Sequence, residues 1–185
     1  MTTTTHAAED RPGIHRLGLW LFIISDSFLF IALLAGRFYL RGAERPAEIN
    51  QPLGLAISLI LLLSSLAAYR GETAAAYGDV ARFRRNILAT IGLGLLFLVG
   101  VGIEWKEAFH FFPPSSAFGT VFFSLTGFHA FHVLTGIVAL AVSLLPGPTA
   151  RVRQGNSWGV EAMVKYWHFV DVAWVFIYPT LYLVS

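Results

Sequence analysis

The stretch AFGTVFFSLTGFHAFHVLTGIVALAVSLL, residues 117–145, decides the fold class of this chain. It runs for 29 residues without a lysine, arginine, aspartate or glutamate. A bilayer core about 30 Å thick is crossed by roughly 20 apolar residues of helix, so this stretch predicts a membrane-spanning helix. The composition favours the same class, because 56% of the 185 residues are hydrophobic and only 13% are charged. A water-soluble core cannot absorb so much apolar surface.

Together with four further segments of this kind, this stretch predicts an all-α integral membrane protein with five spans. The spans lie at about 17–40, 52–70, 86–108, 116–145 and 160–184. Residues 1–16 are predicted to form a polar N-terminal tail on the cytoplasmic side, without a secretory signal, and residues 17–185 a single five-helix membrane domain. The remaining sequence is predicted to be connecting loop. Glycines on the third and fourth helices, at positions such as Gly92, Gly94, Gly102 and Gly136, predict close approach of neighbouring backbones.

The distribution of basic residues predicts the orientation. Five spans place the tail, the second loop and the fourth loop on one side, which carries Arg11, Arg16, Arg70, Arg82, Arg84, Arg85, Arg151 and Arg153. The other side carries Arg37, Arg41, Arg45 and Lys106, among acidic residues that include Glu44 and Glu48. The positive-inside rule therefore predicts a cytoplasmic N-terminus and a C-terminus on the opposite side. Because the basic residues are scattered over segment ends, nucleic acid is not an expected partner.

Ionisable side chains near the middle of the predicted spans are the candidate functional residues, because such groups are costly in hydrocarbon. They are Asp26, His129, His132, His168 and Asp171, with Glu104 nearer the end of its span. Residues three apart share a helix face, which pairs the two histidines of the fourth span and the histidine and aspartate of the fifth. A short loop joins these spans, so we predict that the two polar pairs meet in one interhelical hydrogen-bond network.

The same histidines also allow two metal-binding hypotheses, a haem site and a copper site. Facing imidazoles on membrane helices bind haem iron axially, and histidine clusters also bind copper. The chain has no cysteine, which excludes disulfides, iron–sulfur clusters and thiolate metal sites. Asp26 is either a proton-relay carboxylate or a buried packing residue. A small transporter that uses Asp26 and Asp171 is a further alternative, but transporters commonly show internal repeats and broken helices, and this sequence shows neither.

Aromatic and basic residues near the span ends suggest contacts with lipid. Trp158 lies at a predicted membrane boundary, where aromatic rings anchor helices at the headgroup level. Arg151 and Arg153 are either contacts for anionic lipid phosphates or ordinary topology determinants. Trp167 and Trp174 are one heptad apart, which predicts a packing stripe against a neighbouring helix.

Two longer motifs resemble signatures of subunit III of the haem–copper oxidases. They are TGFHAFHV at 126–133 and YWHFVDVAW at 166–174. The resemblance extends to LFIISD at 21–26, Glu104 and Glu161, and so to nearly the whole chain. It is to the short, five-helix bacterial form of the family. The resemblance implies that helices one and two lean away from helices three to five, which leaves a V-shaped cleft that holds phospholipid.

The resemblance also implies a role without a catalytic centre in this chain. Subunit III of this family binds no haem or copper; it packs on the catalytic subunit I, supports proton uptake there and protects the enzyme during turnover. This implies a respiratory cytochrome c oxidase in a bacterial inner membrane, while a quinol oxidase or nitric oxide reductase partner and a haem-bearing membrane anchor stay open. The implied lipid contacts are Asp26, Arg151, Arg153 and Trp158. Two departures stand out: Asp26 occupies a position that is usually glutamate, and Val101 a position that is commonly glutamine.

Overall fold

A computed structural model describes the protein over residues 11–40, 46–47 and 49–184, apart from the side chains of residues 11 and 12. Several sequence predictions fall elsewhere. Residues 1–10 of the predicted tail, the side chain of Arg11 and the loop charges Arg41, Glu44, Arg45 and Glu48 lie outside the described residues.

The described chain is helical throughout its membrane segments. The elements in chain order are α1 (Arg11–Tyr39), α2 (Gln51–Ala76), α3 (Val80–Phe111), α4 (Ala117–Ser143), α5 (Pro146–Arg153), α6 (Trp158–Tyr178) and a π-helical turn, Pro179–Leu183. Of these described helices, α1 to α4 are each long and apolar enough to cross a membrane. The prediction of an all-helical membrane protein is therefore confirmed. α6 is shorter, with 21 residues, and carries Glu161, Lys165 and Asp171.

Side-chain caps fix where three of the long helices begin. Asn50, Asp79 and Ser116 each accept a hydrogen bond from the backbone N–H three residues further on, at 3.0 to 3.1 Å. Such caps satisfy one of the amide groups that a helix start leaves without a partner. With Asp79 as its cap, α3 begins at Val80, six residues before the predicted span. α2 instead extends at its other end, to Ala76, six residues past the predicted span.

Two segments that were predicted to be irregular are helical. α1 begins at Arg11, inside the predicted tail, so at least six residues of that tail continue the first helix. The fourth loop contains α5, which starts on two prolines at 146 and 148. Proline is compatible with a first helical turn, since its missing N–H would have no intrahelical partner there. The prediction of plain connecting loop in this region is wrong.

Helix packing does not follow the predicted division into two bundles. α2 packs most extensively against α3, to which a three-residue turn joins it, and also along α6. α6 packs on α4 as well, and α1 packs on α4 and α6. The contacts thus contradict the grouping of helices one and two against helices three to five. α2 belongs to the central bundle, and α1 lies on its outside.

Trp167 of α6 occupies the centre of this bundle and is fully buried. Gly94 of α3 and Gly136 of α4 lie against its ring; a Cβ at these positions would come within 2.7 and 2.8 Å of ring carbons. Glycine is thus required for the close approach of α3 and α4 to the indole. Gly92 and Gly102 face open space instead, so the predicted close packing holds for one face of α3 only.

The two tryptophans one heptad apart on α6 both bond to α2. The Trp167 Nε1–H donates to Ser64 Oγ at 3.0 Å, and the Trp174 Nε1–H donates to Ser58 Oγ at 2.8 Å. All four groups are buried, and a buried indole N–H needs such an acceptor. The predicted packing stripe is confirmed, and α2 is the helix that receives it.

Candidate functional site

The first polar site at mid-depth joins α1 to α4. Asp26 Oδ2 lies 3.0 Å from His132 Nε2, and both side chains are largely buried. The other ring nitrogen, Nδ1, lies 2.7 Å from the carbonyl oxygen of Phe128. Because a carbonyl only accepts, Nδ1 donates the proton in this bond. A carboxylate at this depth is costly in hydrocarbon without a polar neighbour, and the His132 imidazole supplies one.

Aromatic rings enclose this pair. The His132 ring lies 5.1 Å from Phe30 of α1 and 4.4 Å from Phe128. Phe30 also contacts Phe169 of α6 at 6.0 Å. The aspartate–histidine contact is therefore part of a larger aromatic seam that holds α1 against α4 and α6.

His129 lies one turn before His132 on α4 but faces a different neighbourhood. It is fully buried, with its ring 4.8 Å from Trp174 and 5.6 Å from Phe97. Neither of its ring nitrogens has a hydrogen-bond partner within the described part of the chain. His129 is thus held by ring contacts in the centre of the bundle, where α3, α4 and α6 meet.

The second polar site at mid-depth joins α2 to α6. Ser65 Oγ lies 2.6 Å from His168 Nδ1, and Asp171 Oδ2 lies 4.0 Å from the same nitrogen. Asp171 is buried, whereas about a third of the His168 side chain, 34%, is exposed. This constellation faces α2, while His132 faces α1.

The predicted network between the two polar pairs is therefore not formed. Residues three apart on a helix differ in direction by about 60°, since 3.6 residues make a turn. Because several helices surround α4, this difference in direction places His132 against α1 and His129 in the bundle centre. α4 and α6 are linked instead through Tyr166, whose hydroxyl lies 2.8 Å from Thr135 Oγ1 and 3.5 Å from the His132 carbonyl oxygen.

Glu104 belongs to a third site, nearer the end of α3 as the sequence indicated. The Tyr182 hydroxyl donates to Glu104 Oε2 at 2.6 Å, and both residues are buried. Gln51 Nε2 donates to the Tyr182 carbonyl oxygen at 2.9 Å. These bonds tie the C-terminal π-helical turn to α2 and α3.

The structure also adds Arg37 of α1, which sequence reasoning treated as a loop charge. Arg37 is buried, its guanidinium donates to the Val184 carbonyl oxygen at 3.3 Å, and it lies 5.5 Å from the centre of the Phe118 ring. It therefore links the end of α1 to the C-terminal segment and to α4.

The residues that sequence reasoning missed are mostly the small or aromatic partners of the predicted ones. Ser58, Ser64 and Ser65 of α2 and Tyr182 of the π-helical turn each bond to a residue that was predicted to matter. Serines within an apolar span are a usable signal, because in lipid their hydroxyls bond to their own helix or to a neighbour. The sequence does not say which neighbour receives them.

The candidate lipid residues lie at one end of the bundle, around α5. Arg151 and Trp158 line a cavity of about 190 Å³, and Arg153 lines another of about 380 Å³ together with Arg84. The Trp158 ring also contacts the Arg16 guanidinium of α1, 5.3 Å from the ring centre. Asp26 lies apart from these residues, at mid-depth against His132.

The donor set does not fit a haem or copper ion. Both nitrogens of His132 are engaged, by Asp26 and by a backbone carbonyl, and His168 bonds to α2. Over the described residues, no three His, Cys, Asp or Glu side chains are arranged to hold a metal ion. The three histidines thus serve different helix contacts and do not converge on one ligand.

Comparisons with known proteins agree with the motif resemblance. The family model described as "Cytochrome c oxidase subunit III" matches residues 2–185. The cytochrome c oxidase subunit 3 of Corynebacterium diphtheriae is 36% identical over 97% of this chain and 92% of its own length. The probable cytochrome c oxidase subunit 3 of Nocardia farcinica is 31% identical over 100% of this chain and 94% of its own length. The same protein of Artemia franciscana is 34% identical over 90% of this chain and 68% of its own length. Since the family model matches all but the first residue, and the first two relatives are covered over more than 90% of their own length, the chain belongs to the cytochrome c oxidase subunit III family.

Proposed function

We propose that this chain is the non-catalytic subunit III of a haem–copper terminal oxidase, which reduces oxygen to water in aerobic respiration. The observation that carries the proposal is the family match over residues 2–185. The haem and copper belong to partner subunits, and this chain packs on catalytic subunit I. Its role there is to support proton uptake and to keep the enzyme active during turnover.

The geometry supports an accessory role, because three of the five ionisable groups at mid-depth, Asp26, His132 and His168, contact other helices of the same chain. Asp26 and His132 hold α1 to α4, and Ser65 and His168 hold α2 to α6. A haem-bearing membrane anchor is less well supported, since His132 has no nitrogen left for iron. A partner that is a quinol oxidase or a nitric oxide reductase remains the second candidate, because the electron donor binds to other chains in either case.

Purification through a tag on this chain, in mild detergent, tests the central proposal. We expect a multi-haem oxidase core to co-purify, and the haem spectrum to disappear from this chain when the core is stripped away. Haem retained by the stripped chain would overturn the proposal. Reduction of the purified complex by cytochrome c, compared with reduction by a quinol, identifies the donor.

A protective role is tested by the lifetime of the enzyme during turnover. We expect Asp26→Ala, and separately the pair His168→Ala with Asp171→Ala, to leave haem content and initial rate normal but to shorten the active lifetime several-fold. Ser27→Ala is the matched control, because the Ser27 hydroxyl bonds to its own helix, at the Ile23 carbonyl oxygen. An unchanged lifetime in both variants would contradict the protective role.

We also propose five membrane spans, with α6 and the π-helical turn as the fifth, in a bacterial plasma membrane with the N-terminus in the cytoplasm. Support comes from the basic residues, which gather at the α2–α3 turn and around α5. The chain has no cysteine, so single cysteines are unambiguous reporters. A membrane-impermeant maleimide applied to intact cells should label Ser115→Cys and leave Ala81→Cys unlabelled until the cells are opened; the reverse pattern would refute this orientation.

Bound phospholipid is the last part of the proposal. Arg151, Arg153 and Trp158 are placed around cavities at the same end of the bundle, where arginines favour anionic headgroups. Asp26 is assigned to its contact with His132 instead, since a carboxylate at mid-depth is out of reach of a headgroup. Mass spectrometry of lipid retained by the purified complex, with Arg151→Gln and Arg153→Gln, checks this: equal lipid content in wild type and both variants would count against it.

A further inference from the structure

A second basic cavity lies away from α5, at the turn between α2 and α3. It has a volume of about 560 Å³. Three arginines converge on it from the two helices, with two tyrosines and an asparagine; the lining includes Tyr69, Arg70, Tyr77, Asp79, Arg82, Arg85 and Asn86. The cavity is concave and open to the surroundings, so it differs from a row of solvated charges on a helix face.

The charge in this cavity is not balanced by the chain itself. Asp79 is the one carboxylate in the lining. It is already committed, because it caps α3 and pairs with Arg82, Oδ2 to Nε at 3.2 Å. Within the described part of the chain, no carboxylate lies within 4.0 Å of the guanidinium of Arg70 or Arg85. Two arginines therefore face the cavity with their hydrogen-bond donors available.

The cavity also lies at the depth of a lipid headgroup. Arg70 follows the apolar run of α2 by two residues, and Arg85 precedes the apolar run of α3, which begins at Ile87. Residues 71–76 extend α2 about 9 Å beyond Arg70, at a rise of 1.5 Å per residue. Tyr69 and Tyr77 are 59% and 85% exposed, as expected of aromatic residues at a membrane interface. In a membrane that these apolar runs span, the guanidinium groups of Arg70 and Arg85 would therefore lie at the boundary between hydrocarbon and phosphate.

We propose that the cavity at the α2–α3 turn binds the phosphate of an anionic phospholipid, held by Arg70 and Arg85 with Tyr69 and Tyr77 beside the headgroup. Guanidinium groups donate paired hydrogen bonds to phosphate oxygens. This site is separate from the residues around α5. It requires only that the turn lies at a membrane surface, so it stands whichever side that is.

The test uses the purified oxidase complex in bilayer nanodiscs and a phosphatidylglycerol that carries a photoactivatable group next to the phosphate. After illumination, the labelled peptides are mapped by mass spectrometry. We expect label on the segment from residue 69 to residue 86. A phosphatidylcholine with the same photoactivatable group should give much less label there, and inorganic phosphate in large excess should not compete.

Variants separate the site from general electrostatics. Arg70→Gln with Arg85→Gln should reduce labelling of this segment by at least about fivefold, since each arginine near an anionic surface contributes on the order of fivefold in affinity. Arg84→Gln is the matched control, because Arg84 is exposed on the same turn of α3 but lines the other cavity, beside Arg153. It removes the same charge from the same loop and should leave the labelling of this segment unchanged.

The double variant Arg70→Lys with Arg85→Lys keeps the positive charges that determine membrane topology. It replaces the double glutamine variant if that variant does not assemble into the complex. Its labelling should be intermediate, because an ammonium group cannot make the paired contact. Equal labelling by the two lipids would overturn the proposal, as would wild-type labelling in both double variants. Complete competition by inorganic phosphate would assign the cavity to a soluble phosphate compound and would also overturn it.

Discussion

The contact of α6 with α2 and the contact of α1 with α4 hold their helices by different means. Along α6, two buried indole N–H groups donate to serines of α2, and glycines of α3 and α4 lie directly on the central indole. Along α1, one aspartate–histidine contact and a cluster of phenylalanines supply the attachment. Only 11% of the apolar window of α1 is buried inside the chain, against 33% for α2 and 44% for α4.

This difference shows how a bundle holds together when lipid is as apolar as its side chains. Hydrophobic transfer does not drive helices together in a bilayer, so close packing and hydrogen bonds must do so. α6 uses both, because its indoles bond to serines of α2 and its central indole packs against glycines of α3 and α4. α1 uses a polar contact at mid-depth and leaves most of its surface for lipid or for another subunit. The α2–α6 contact should therefore determine the stability of the chain, and α1 its contacts with its surroundings.

Trp167→Ala should have the largest effect on the free energy of unfolding. It removes the central indole from between Gly94 and Gly136 and leaves a cavity, for which core tryptophan truncations cost about 3–5 kcal/mol. In a membrane protein the tryptophan moves from the core into lipid or detergent and not into water, so we expect a loss at the lower end, about 3 kcal/mol. It is measured by denaturant unfolding in detergent micelles. Trp20→Ala, at a tryptophan of α1 that is 54% exposed, is the control. Equal losses in the two variants would remove the distinction between the two contacts.

Ser58→Ala should come next. It leaves the Trp174 N–H without an acceptor in a buried site, and an orphaned donor of this kind costs about 1–3 kcal/mol. We expect the lower half of that range in the same unfolding measurement. The loss should vanish when Trp174→Phe is already present, since no donor then remains. A full loss in the double variant would show that the serine acts through packing.

The contact between α1 and α4 should be weaker. In a double-mutant cycle with Asp26→Ala and His132→Ala, we expect a coupling energy of about 1 kcal/mol, within the range found for polar contacts between membrane helices. A coupling larger than the loss in Trp167→Ala would reverse the ranking of the two contacts. Ser27→Ala in place of Asp26→Ala should give no coupling.

The smallest effect should come from the outward face of α1. Phe28 is 67% exposed, so Phe28→Ala should change the unfolding free energy of the isolated chain by less than about 0.5 kcal/mol. If a subunit of the oxidase packs there, the same variant should instead weaken co-purification of the core. A loss above 1 kcal/mol in the isolated chain would mean that α1 packs more tightly than its contacts indicate.

The membrane class, the four long apolar helices and the family could all be predicted from the amino-acid sequence. Those depend on the length of apolar runs and on motifs such as YWHFVDVAW at 166–174, which are properties of neighbouring residues. The sequence also picked out the polar groups at mid-depth, because an ionisable residue in an apolar run is conspicuous whatever it bonds to. The heptad spacing of Trp167 and Trp174 was enough to predict that they pack together on one face of α6.

The partners of these residues could not be predicted, because they depend on how the helices pack. The side chains of His129 and His132 point about 60° apart around α4. Because α1 lies on one side of this angle and the bundle centre on the other, the two histidines have different neighbours. The grouping of α2 with α3 and α6, and the pairing of Glu104 with Tyr182 from 78 residues away along the chain, depend on how helices are placed relative to one another. That placement follows from side-chain shape over whole helix faces, since small residues admit a neighbour and large ones exclude it, and no local pattern in the sequence records it.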